Sequence, residues 1–512
     1  MSAQPRFHKW GLALIFISAA SFAVFSACHV QTKEEKAKQL ADKYCGSCHL
    51  PVDPSMLDKI TWTDHVLPNM ARRLGVNVWG EKEYFPPMPG DKPAQIPFKE
   101  WKAIVEYYTS NAPDKLTPAK APYPIQKGWA GFELVTPVIK DTTLASTTLV
   151  SADTSSGNIY TSDGYENTLV QWNKKLELSN SWKCLSPVVD ISFRKDSAGK
   201  SQALLTQIGD MRAVDKPSGV ISELDINTVD IKPHDLKAFL QRPVQTLTAD
   251  FDKDGLMDMI SCSFGHNTGG LYLLKKLPTG KYDEHPILEL PGAIHAVVDD
   301  FNKDGWPDLM VLFAAAKEGI WLFENDHKGG FSNKQLLEFP PMYGSTSFQL
   351  IDMNGDGKKD IVYTCGDNAD YSMILKPYHG VYIFENKGNN EYKQAWFYPV
   401  NGCTKAIAGD FNQDGKVDIA TIAFFADLKN NPSEKFIFFE GKDNAFNFTP
   451  YSPPIESEGH WICMDAADVD KDGDVDIILG NYAKGFIIQE DLKPNWKEYQ
   501  PFILLRNTLK HP

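Results

Sequence analysis

Two different patterns of hydrophobic and polar positions divide the chain. Residues 96–108 carry apolar side chains at helical spacing, and residues 34–44 are also helix-like. From about residue 128 onward the pattern changes to short runs of β-branched and aromatic residues between Gly, Asn and Asp. The sequence therefore predicts a small all-α domain followed by a larger all-β domain.

The β-rich part contains a repeat. Nine-residue segments begin at Asp250, Asp300, Asp352, Asp410 and Asp468, and their starts are 50, 52, 58 and 58 residues apart. One strand is predicted before each segment, a second after it, and a fourth at the end of each unit. The third strands are predicted in GLYLLKK, GIWLFEN, GVYIFEN, KFIFFEG and GFIIQED, the last of these at residues 485–491. Four antiparallel strands at this period are typical of a propeller blade.

Two degenerate copies precede the five intact ones. The first surrounds Asp153, and the second places Ser192, Arg194 and Asp196 at the first three loop positions. In that second copy, Arg194 would put a fixed positive charge where a cation sits in the others. Two degenerate copies and five intact copies predict seven blades, with six or eight as alternatives.

The repeated segments have the chemistry of a cation site. Oxygen atoms from positions 1, 3, 5 and 9 and the carbonyl of position 7 can surround a hard cation, and the glycine at position 6 permits the sharp turn. Carboxylates packed so closely would repel one another without a cation, although solvated Asp-rich turns are the alternative. We therefore predict about five Ca²⁺ ions. The predicted ligands are Asp250, Asp252, Asp254, Asp258, Asp300, Asn302, Asp304, Asp308, Asp352, Asn354, Asp356, Asp360, Asp410, Asn412, Asp414, Asp418, Asp468, Asp470, Asp472 and Asp476.

Near the beginning, the sequence Cys45-Gly46-Ser47-Cys48-His49 is the C-x-x-C-H signature of covalent haem attachment. A redox dithiol or a zinc half-site is the alternative, but neither requires the following histidine. We predict one haem c, with thioether bonds to Cys45 and Cys48 and with His49 as an axial ligand of the iron. For the second axial ligand, Met88 in a proline-rich loop is preferred to Met70, and simple core filling is the alternative for both.

The first residues read as an export signal. Residues 1–27 combine a basic start with a charge-free run from 11 to 27, and the next residue, Cys28, is predicted to be lipidated. An uncleaved membrane anchor is the alternative. Both interpretations place the rest of the chain outside the cytoplasm. Five further cysteines form an odd set in which at most two disulfides can form: Cys184, Cys262, Cys365, Cys403 and Cys463.

The predicted domain boundaries follow from these features. A cytochrome domain spans residues 28–111, a proline-rich linker spans 112–127, and the propeller spans 128–512. The formal net charge of −14 argues against nucleic-acid binding and against attraction to anionic lipid headgroups.

These features resemble two known families. The N-terminal helix, the attachment motif, the methionine loop and the second helix resemble a mono-haem class I cytochrome c. The Asp loops from residue 250 onward resemble the calcium loops of FG-GAP or VCBS repeat propellers, the fold of integrin α heads, and Phe25 to Cys28 resembles a bacterial lipobox. The propeller resemblance implies that ligands bind at the mouth of the central channel, away from the calcium loops. Candidate residues there are Arg242, His295, Lys405 and His460, with His234 and Asp235 nearby.

The sequence as a whole favours a membrane-anchored, extracytoplasmic haem c protein that transfers electrons. Its calcium-stabilised propeller would dock a redox partner protein or a small-molecule electron donor. A cytochrome-linked dehydrogenase with its active site on the propeller is one alternative, and an adhesion or glycan-binding propeller is another. The sequence contains no G-x-S-x-G, H-E-x-x-H or phosphate-binding glycine motif, so nothing in it marks a nucleophile.

Overall fold

The computed structural model describes residues 31–508 except 81, 140–141, 196–198, 370–372 and 486–491. The predicted signal and Cys28 lie outside these residues. Among the described helices, none has both the length and the apolar character needed to cross a membrane. A helical unit comes first, with α1 (Lys33–Cys45), a 3₁₀ turn (Pro54–Met56), a π-helical turn (Thr61–Val66), α2 (Leu67–Arg73), a hairpin of β1 (Asn77–Trp79) and β2 (Glu83–Phe85), and α3 (Phe98–Asn111).

Local signals explain where the two long helices begin. The Thr32 hydroxyl accepts from the Glu35 N–H, and the Glu35 carboxylate accepts from the Thr32 N–H, which forms a capping box at the start of α1. Pro97 directly precedes α3. The buried face of α3 carries Trp101, Ile104 and Tyr108, which pack with α1 in the core of the helical unit.

Seven sheets of four antiparallel strands follow in the described part of the chain, one of them extended by a short parallel fifth strand, which confirms the predicted blade count. Short strands β3 (Gln126–Lys127) and β4 (Phe132–Val135) precede them and join blades 6 and 7. In blades 1–3 the strands are β5–β8 (Thr147–Asp153, Asn158–Asp163, Thr168–Trp172, Leu178–Lys183), β9–β12 (Val188–Lys195, Ser201–Gln207, Gly219–Asp225, His234–Leu240) and β13–β16 (Pro243–Ala249, Asp258–Ser263, Gly270–Lys276, Tyr282–Leu288). In blades 4–7 they are β17–β20 (Ala293–Asp299, Asp308–Phe313, Gly319–Asn325, Phe331–Glu338), β21–β24 (Ser345–Ile351, Asp360–Cys365, Gly380–Asn386, Tyr392–Pro399), β25–β28 (Cys403–Gly409, Asp418–Ala423, Phe436–Gly441, Phe448–Ser452) and β29–β31 (Trp461–Ala467, Asp476–Asn481, Phe502–Asn507).

Blade 7 is completed by a strand from the other end of the propeller. Its fourth strand is β4, which pairs antiparallel with β31, with Leu134 opposite Leu505. The first strand of blade 7 also contacts the first strand of blade 1. The ring is therefore closed by hydrogen bonds between the two ends of the propeller, which leaves neither end as an open edge.

One predicted strand was wrong. The third strand of blade 7 is Phe502–Asn507, whereas residues 486–491 of GFIIQED lie outside the described residues. The main-chain N–H of Asn507 donates to Asp476, as the N–H of Asn325 and Asn386 do to the equivalent aspartates of blades 4 and 5. The Asn at the end of each of these third strands was the signal that the sequence analysis missed.

Each second strand is buried on both faces. In β18, Leu309 and Val311 pack toward blade 3, while Met310 and Leu312 pack toward blade 5. Side chains of one strand alternate between its two faces, so each blade contributes to the hydrophobic layer on either side. This explains why the second strands read as continuous apolar runs.

The two degenerate blades do not keep the cation loop. Ser192 and Arg194 lie within β9, opposite Leu204 and Gln202, rather than in a loop, and Asp196 lies outside the described residues. Arg194 forms an ion pair with Glu223 at 2.5 Å, so the prediction that it replaces a cation was wrong.

In the other degenerate blade, the carboxylate of Asp153 accepts from the hydroxyls of Ser155 and Ser156 at 2.7 and 2.6 Å. Hydroxyl donors thus take the role that a cation would have there.

The proline-rich segment lies along the side of the propeller. Its last residues, Gln126–Lys127, pair in parallel with β28 of blade 6. Tyr123 and Ile125 pack against the core between blades 5 and 6, and the hydroxyl of Tyr398 donates to the Tyr123 carbonyl at 2.8 Å. The segment is extended, and contacts with blades 5 and 6 hold it from Tyr123 to Lys127.

Candidate functional site

The five Asp loops share one backbone conformation. At position 6 the glycines have φ between 81° and 97°, and position 4 is also left-handed, with φ between 57° and 77°. In blade 3 the position 1 carboxylate, Asp250, accepts from the N–H groups of Asp254 and Gly255 at 3.1 and 2.9 Å. Two left-handed residues wind the chain around a point, so the side chains of positions 1, 3 and 5 converge.

In two of the loops three carboxylates converge. One oxygen each of Asp250, Asp252 and Asp254 lie within 4.8 Å of one another, and the same holds for Asp468, Asp470 and Asp472 in blade 7. In blade 7 an oxygen of Asp468 and one of Asp470 are buried and have no hydrogen-bond partner in the described part of the chain. Buried carboxylate oxygens without donors are unfavourable, and a bound cation removes that penalty. The residues therefore fit a calcium ion.

The aspartate at position 9 anchors each loop to the sheet. It is buried in every blade from 3 to 7 and accepts from the N–H at position 2 of its own loop at 3.0–3.3 Å. Its other oxygen accepts at 2.7–2.9 Å from an N–H on the third strand. The two sets of hydrogen bonds join the loop to the third strand through one carboxylate. Burial raises the pKa of this carboxyl group to about 7 in Asp418 and in Asp476.

A basic side chain also contacts one ligand position in each loop. Because each loop contains three to five carboxylates, one such contact leaves it with excess negative charge. The pairs are Lys275 with Asp252, His327 with Asp304 at 2.8 Å, Lys358 with Asp356 at 2.6 Å, Lys416 with Asp414 at 3.1 Å and Arg506 with Asp470 at 3.2 Å.

The C-x-x-C-H motif lies at the end of α1. Cys45 is the last residue of the helix, and the Cys48 N–H donates to the Cys45 carbonyl in a turn at 3.3 Å. The His49 Nδ1 lies 2.7 Å from the Leu50 carbonyl. If Nδ1 carries the proton that is donated to this carbonyl, Nε2 is left with a lone pair for a metal. Both cysteines are free thiols, and burial raises the pKa of Cys45 to about 11.

Exposed apolar side chains surround the predicted methionine loop. Trp79, Phe85 and Met88 are 75%, 45% and 65% exposed, although all three belong to a unit with its own core. The Met88 N–H donates to Asp91 at 2.7 Å, and Asn77 on β1 donates to the same carboxylate at 2.8 Å. Two thiols, an imidazole, a thioether and uncovered apolar surface all belong to this unit, and they are the kinds of group that hold a haem. The alternative ligand, Met70, packs against the helical core.

The helical unit contacts one face of the propeller. The Tyr378 hydroxyl donates to the Met56 carbonyl at 3.0 Å, and Met342 and Ile374 pack against the core of the helical unit. These propeller residues lie between second and third strands or between blades. The Asp loops join first and second strands. The helical unit and the Asp loops therefore lie on opposite faces of the propeller.

A buried carboxyl group lies beneath this contact. Glu318 accepts from the N–H and the hydroxyl of Ser345 at 2.7 and 2.6 Å, and the Ser345 hydroxyl contacts the Tyr363 hydroxyl at 2.5 Å. Stacked aromatic rings, including Phe339 on Tyr363 at 4.2 Å, surround the group. Burial raises the pKa of Glu318 from 4.5 to about 8.

This pKa predicts a pH-dependent stability. The folded state binds the proton of Glu318 more tightly than the unfolded state, so its contribution to stability is complete below pH 4.5 and is lost as the pH rises toward 8. Glu318→Gln is expected to remove this dependence, which amounts to roughly 5 kcal/mol across that window. Denaturant unfolding from pH 5 to 8 measures it. The exposed Glu338→Gln is the control, and parallel pH profiles of the wild type and Glu318→Gln would contradict the assignment.

The structure places only some of the predicted channel residues on innermost strands. His295 and Lys405 lie on the innermost strands of blades 4 and 6. The prediction for His460 was wrong: it is 1% exposed and stacks on Phe424 with ring centroids 4.0 Å apart. Its ring contacts the carbonyls of Phe424 and Tyr482, so it joins blades 6 and 7 in the core.

The other candidates also have contacts that differ from the predicted channel site. Arg242 is buried and donates to the Gly265 carbonyl at 2.6 Å and the Met211 carbonyl at 3.4 Å, which ties blade 3 to blade 2. His234 and Asp235 lie on β12, the outermost strand of blade 2. Residues that directly precede blade 3 in the sequence therefore lie at the outer edge of blade 2, because the fourth strand of a blade is its outermost one.

Comparison with known proteins agrees with the repeat. The family model described as FG-GAP-like repeat matches residues 250–311 and 300–363, which contain the loops of blades 3, 4 and 5. The T-cell immunomodulatory protein homologs of Plasmodium falciparum and Plasmodium yoelii yoelii are 27% and 29% identical over 135 and 144 residues. Each match covers 25% of this chain and 19% of the relative.

Among solved structures, virginiamycin B lyase from Staphylococcus aureus aligns with a TM-score of 0.44 and 12% identity, covering 73% of this chain and 98% of that one. The repeat match covers three of the five blades that carry an Asp loop. The chain therefore carries FG-GAP-like repeats as blades of a seven-bladed β-propeller.

Proposed function

We propose that this protein transfers electrons outside the cytoplasm through one haem c attached to its helical unit. The observation that carries the proposal is the position of Cys45, Cys48 and His49 at the end of α1, with the His49 Nδ1 against the Leu50 carbonyl. The haem domain would span residues 28–111. The export signal and Cys28 would anchor the mature chain to a membrane of the cell envelope, on the periplasmic or the outer side.

The residues of the helical unit have separate roles in this proposal. Cys45 and Cys48 hold the haem covalently, and the carbonyl of Leu50 fixes the ring of His49 as an axial ligand. Met88 supplies the thioether, and its loop is fastened to the hairpin through Asp91 and Asn77. When bound, haem with histidine and methionine ligands supplies a one-electron centre of raised potential.

The propeller is proposed to act as a rigid platform. Its cation loops lie on the face opposite the helical unit, where calcium would fix five of the seven blades. The contact of Tyr378 and Met342 with the helical unit keeps the electron-transfer domain on the other face. A redox partner protein or a small-molecule donor would then meet a haem domain held in one orientation.

The test is reduction of the purified full-length chain, produced in a host that matures c-type cytochromes. We expect rapid reduction of the haem by a donor cytochrome or by ascorbate without any further substrate, followed by stopped-flow absorbance. Reduction that occurs only when a sugar or alcohol substrate is added would replace the proposal with the dehydrogenase alternative. A chain without covalent haem would contradict both.

A further inference from the structure

The central channel is lined by the free edges of the innermost strands. In each of these strands the pairing with the second strand shifts register near the start, and the residue after the shift occupies the same position in every blade. Backbone N–H groups on such an edge have no strand to pair with, so they need other acceptors. The seven residues at this position form the channel layer: Leu149, Asp190, Gln245, His295, Ser347, Lys405 and Cys463.

Several members of the channel layer accept from the next blade. Asp190 accepts from the N–H of Thr246 at 3.0 Å, and Gln245 accepts from the N–H of Ala296 at 2.7 Å. Ser347 accepts from the N–H of Ala406 at 3.4 Å. Acceptor side chains in this layer therefore close the gaps between blades 2 and 3, 3 and 4, and 5 and 6.

Lys405 of the channel layer cannot form such a bond. Its ammonium group has three donors and no acceptor, so it cannot satisfy the N–H of the next blade. Its main chain pairs with Ile422 in the sheet, but its ammonium group has no hydrogen bond or ion pair to the described residues. Its charge acts on Asp190, His295 and Cys463, which belong to three other blades. The innermost strand of blade 6 therefore brings the ammonium group close to channel-layer residues of blades 2, 4 and 7.

Acceptors lie in the same layer. Burial and the charge of Lys405 lower the pKa of His295 to about 4, so this imidazole is neutral at pH 7 and can accept through one nitrogen. The ring lies edge-on to Phe348, with centroids 5.2 Å apart, and it has no hydrogen bond to the described residues. The carboxylate of Asp190 uses one oxygen for Thr246 and Thr206. Its other oxygen remains for a hydroxyl group.

We infer that the channel layer binds a small hydroxycarboxylate, with the ligand carboxylate on Lys405 and its hydroxyl group facing Asp190 and His295. An unpaired ammonium group favours an anion, and a nearby carboxylate disfavours one unless the ligand also carries a donor. The inference concerns the propeller alone and is independent of haem.

Isothermal titration calorimetry on the full chain tests the site, with lactate, acetate and glycerol as probes. Lactate carries a carboxylate and a hydroxyl group, whereas acetate carries only the carboxylate and glycerol carries only hydroxyl groups. We expect lactate to bind about tenfold more tightly than acetate, because a hydroxyl bonded to a charged acceptor contributes about that factor. Glycerol should give no measurable heat of binding.

Three variants at two channel residues and one surface variant complete the design. Lys405→Met should abolish lactate and acetate binding, while Lys405→Arg should retain both, which separates loss of charge from loss of fold. Asp190→Asn should lower the affinity for lactate to the affinity for acetate. The exposed Lys281→Met changes the net charge equally and should bind as the wild type does. Unchanged lactate binding in Lys405→Met, or no lactate binding by the wild type, would overturn the inference.

Discussion

Removal of calcium with a chelator is expected to lower the melting temperature of the propeller by roughly 15 °C. Each occupied loop adds about 2.7 kcal/mol when free calcium is about 100-fold above the dissociation constant. Five loops act on one ring that is closed between β31 and β4, so their effects combine in a single transition. Differential scanning calorimetry in calcium and in chelator measures the shift.

A variant of one loop distinguishes bound ions from solvated turns. Asp250→Asn removes a charge from the three carboxylates that converge in blade 3 and should reduce the calcium-dependent part of the melting temperature. Asp230→Asn is the matched control, because Asp230 is exposed, lies outside the loops and has a left-handed φ that Asn tolerates. Equal melting temperatures of the wild type in calcium and in chelator would show that the loops hold no cation.

The second large effect is expected at the attachment motif. Replacing Cys45 and Cys48 together by serine should abolish covalent haem, because both thioether bonds require a thiol. Haem staining on a denaturing gel and a pyridine haemochrome spectrum measure it. Cys184→Ser, which changes a buried cysteine of the propeller, is the control and should keep the full stain. Haem retained after both replacements would contradict the assignment.

The axial methionine is tested in the same preparation. Met88→Leu should remove the thioether absorption band of the oxidised protein and lower the midpoint potential, whereas Met70→Leu should leave both unchanged. Met88 is exposed and lies in a loop fixed by Asp91, while Met70 packs in the helical core, so the two variants differ in surroundings as well as in position. The reverse outcome would move the ligand to Met70. Chelation of calcium should leave this spectrum unaltered.

The sequence by itself determined the repeat and the five Asp loops, whereas the count of seven blades was settled among six, seven and eight by the structure. These properties are local: a strand, a nine-residue loop with Gly at position 6, and another strand recur at one period, and their geometry depends on neighbours in the chain. The same is true of the C-x-x-C-H turn at the end of α1, which continues directly from a helix with its own capping box.

Only the tertiary structure decided which residues meet across blades. The pairing of β4 with β31, the burial of His460 between blades 6 and 7 and the placement of Arg242 between blades 2 and 3 all join residues far apart in the chain or in different blades. The channel layer is of the same kind, since Lys405 acts on three other blades only because the ring closes. Periodicity fixes how each blade is built, whereas closure of the ring fixes what faces its axis, and that depends on contacts that sequence spacing does not encode.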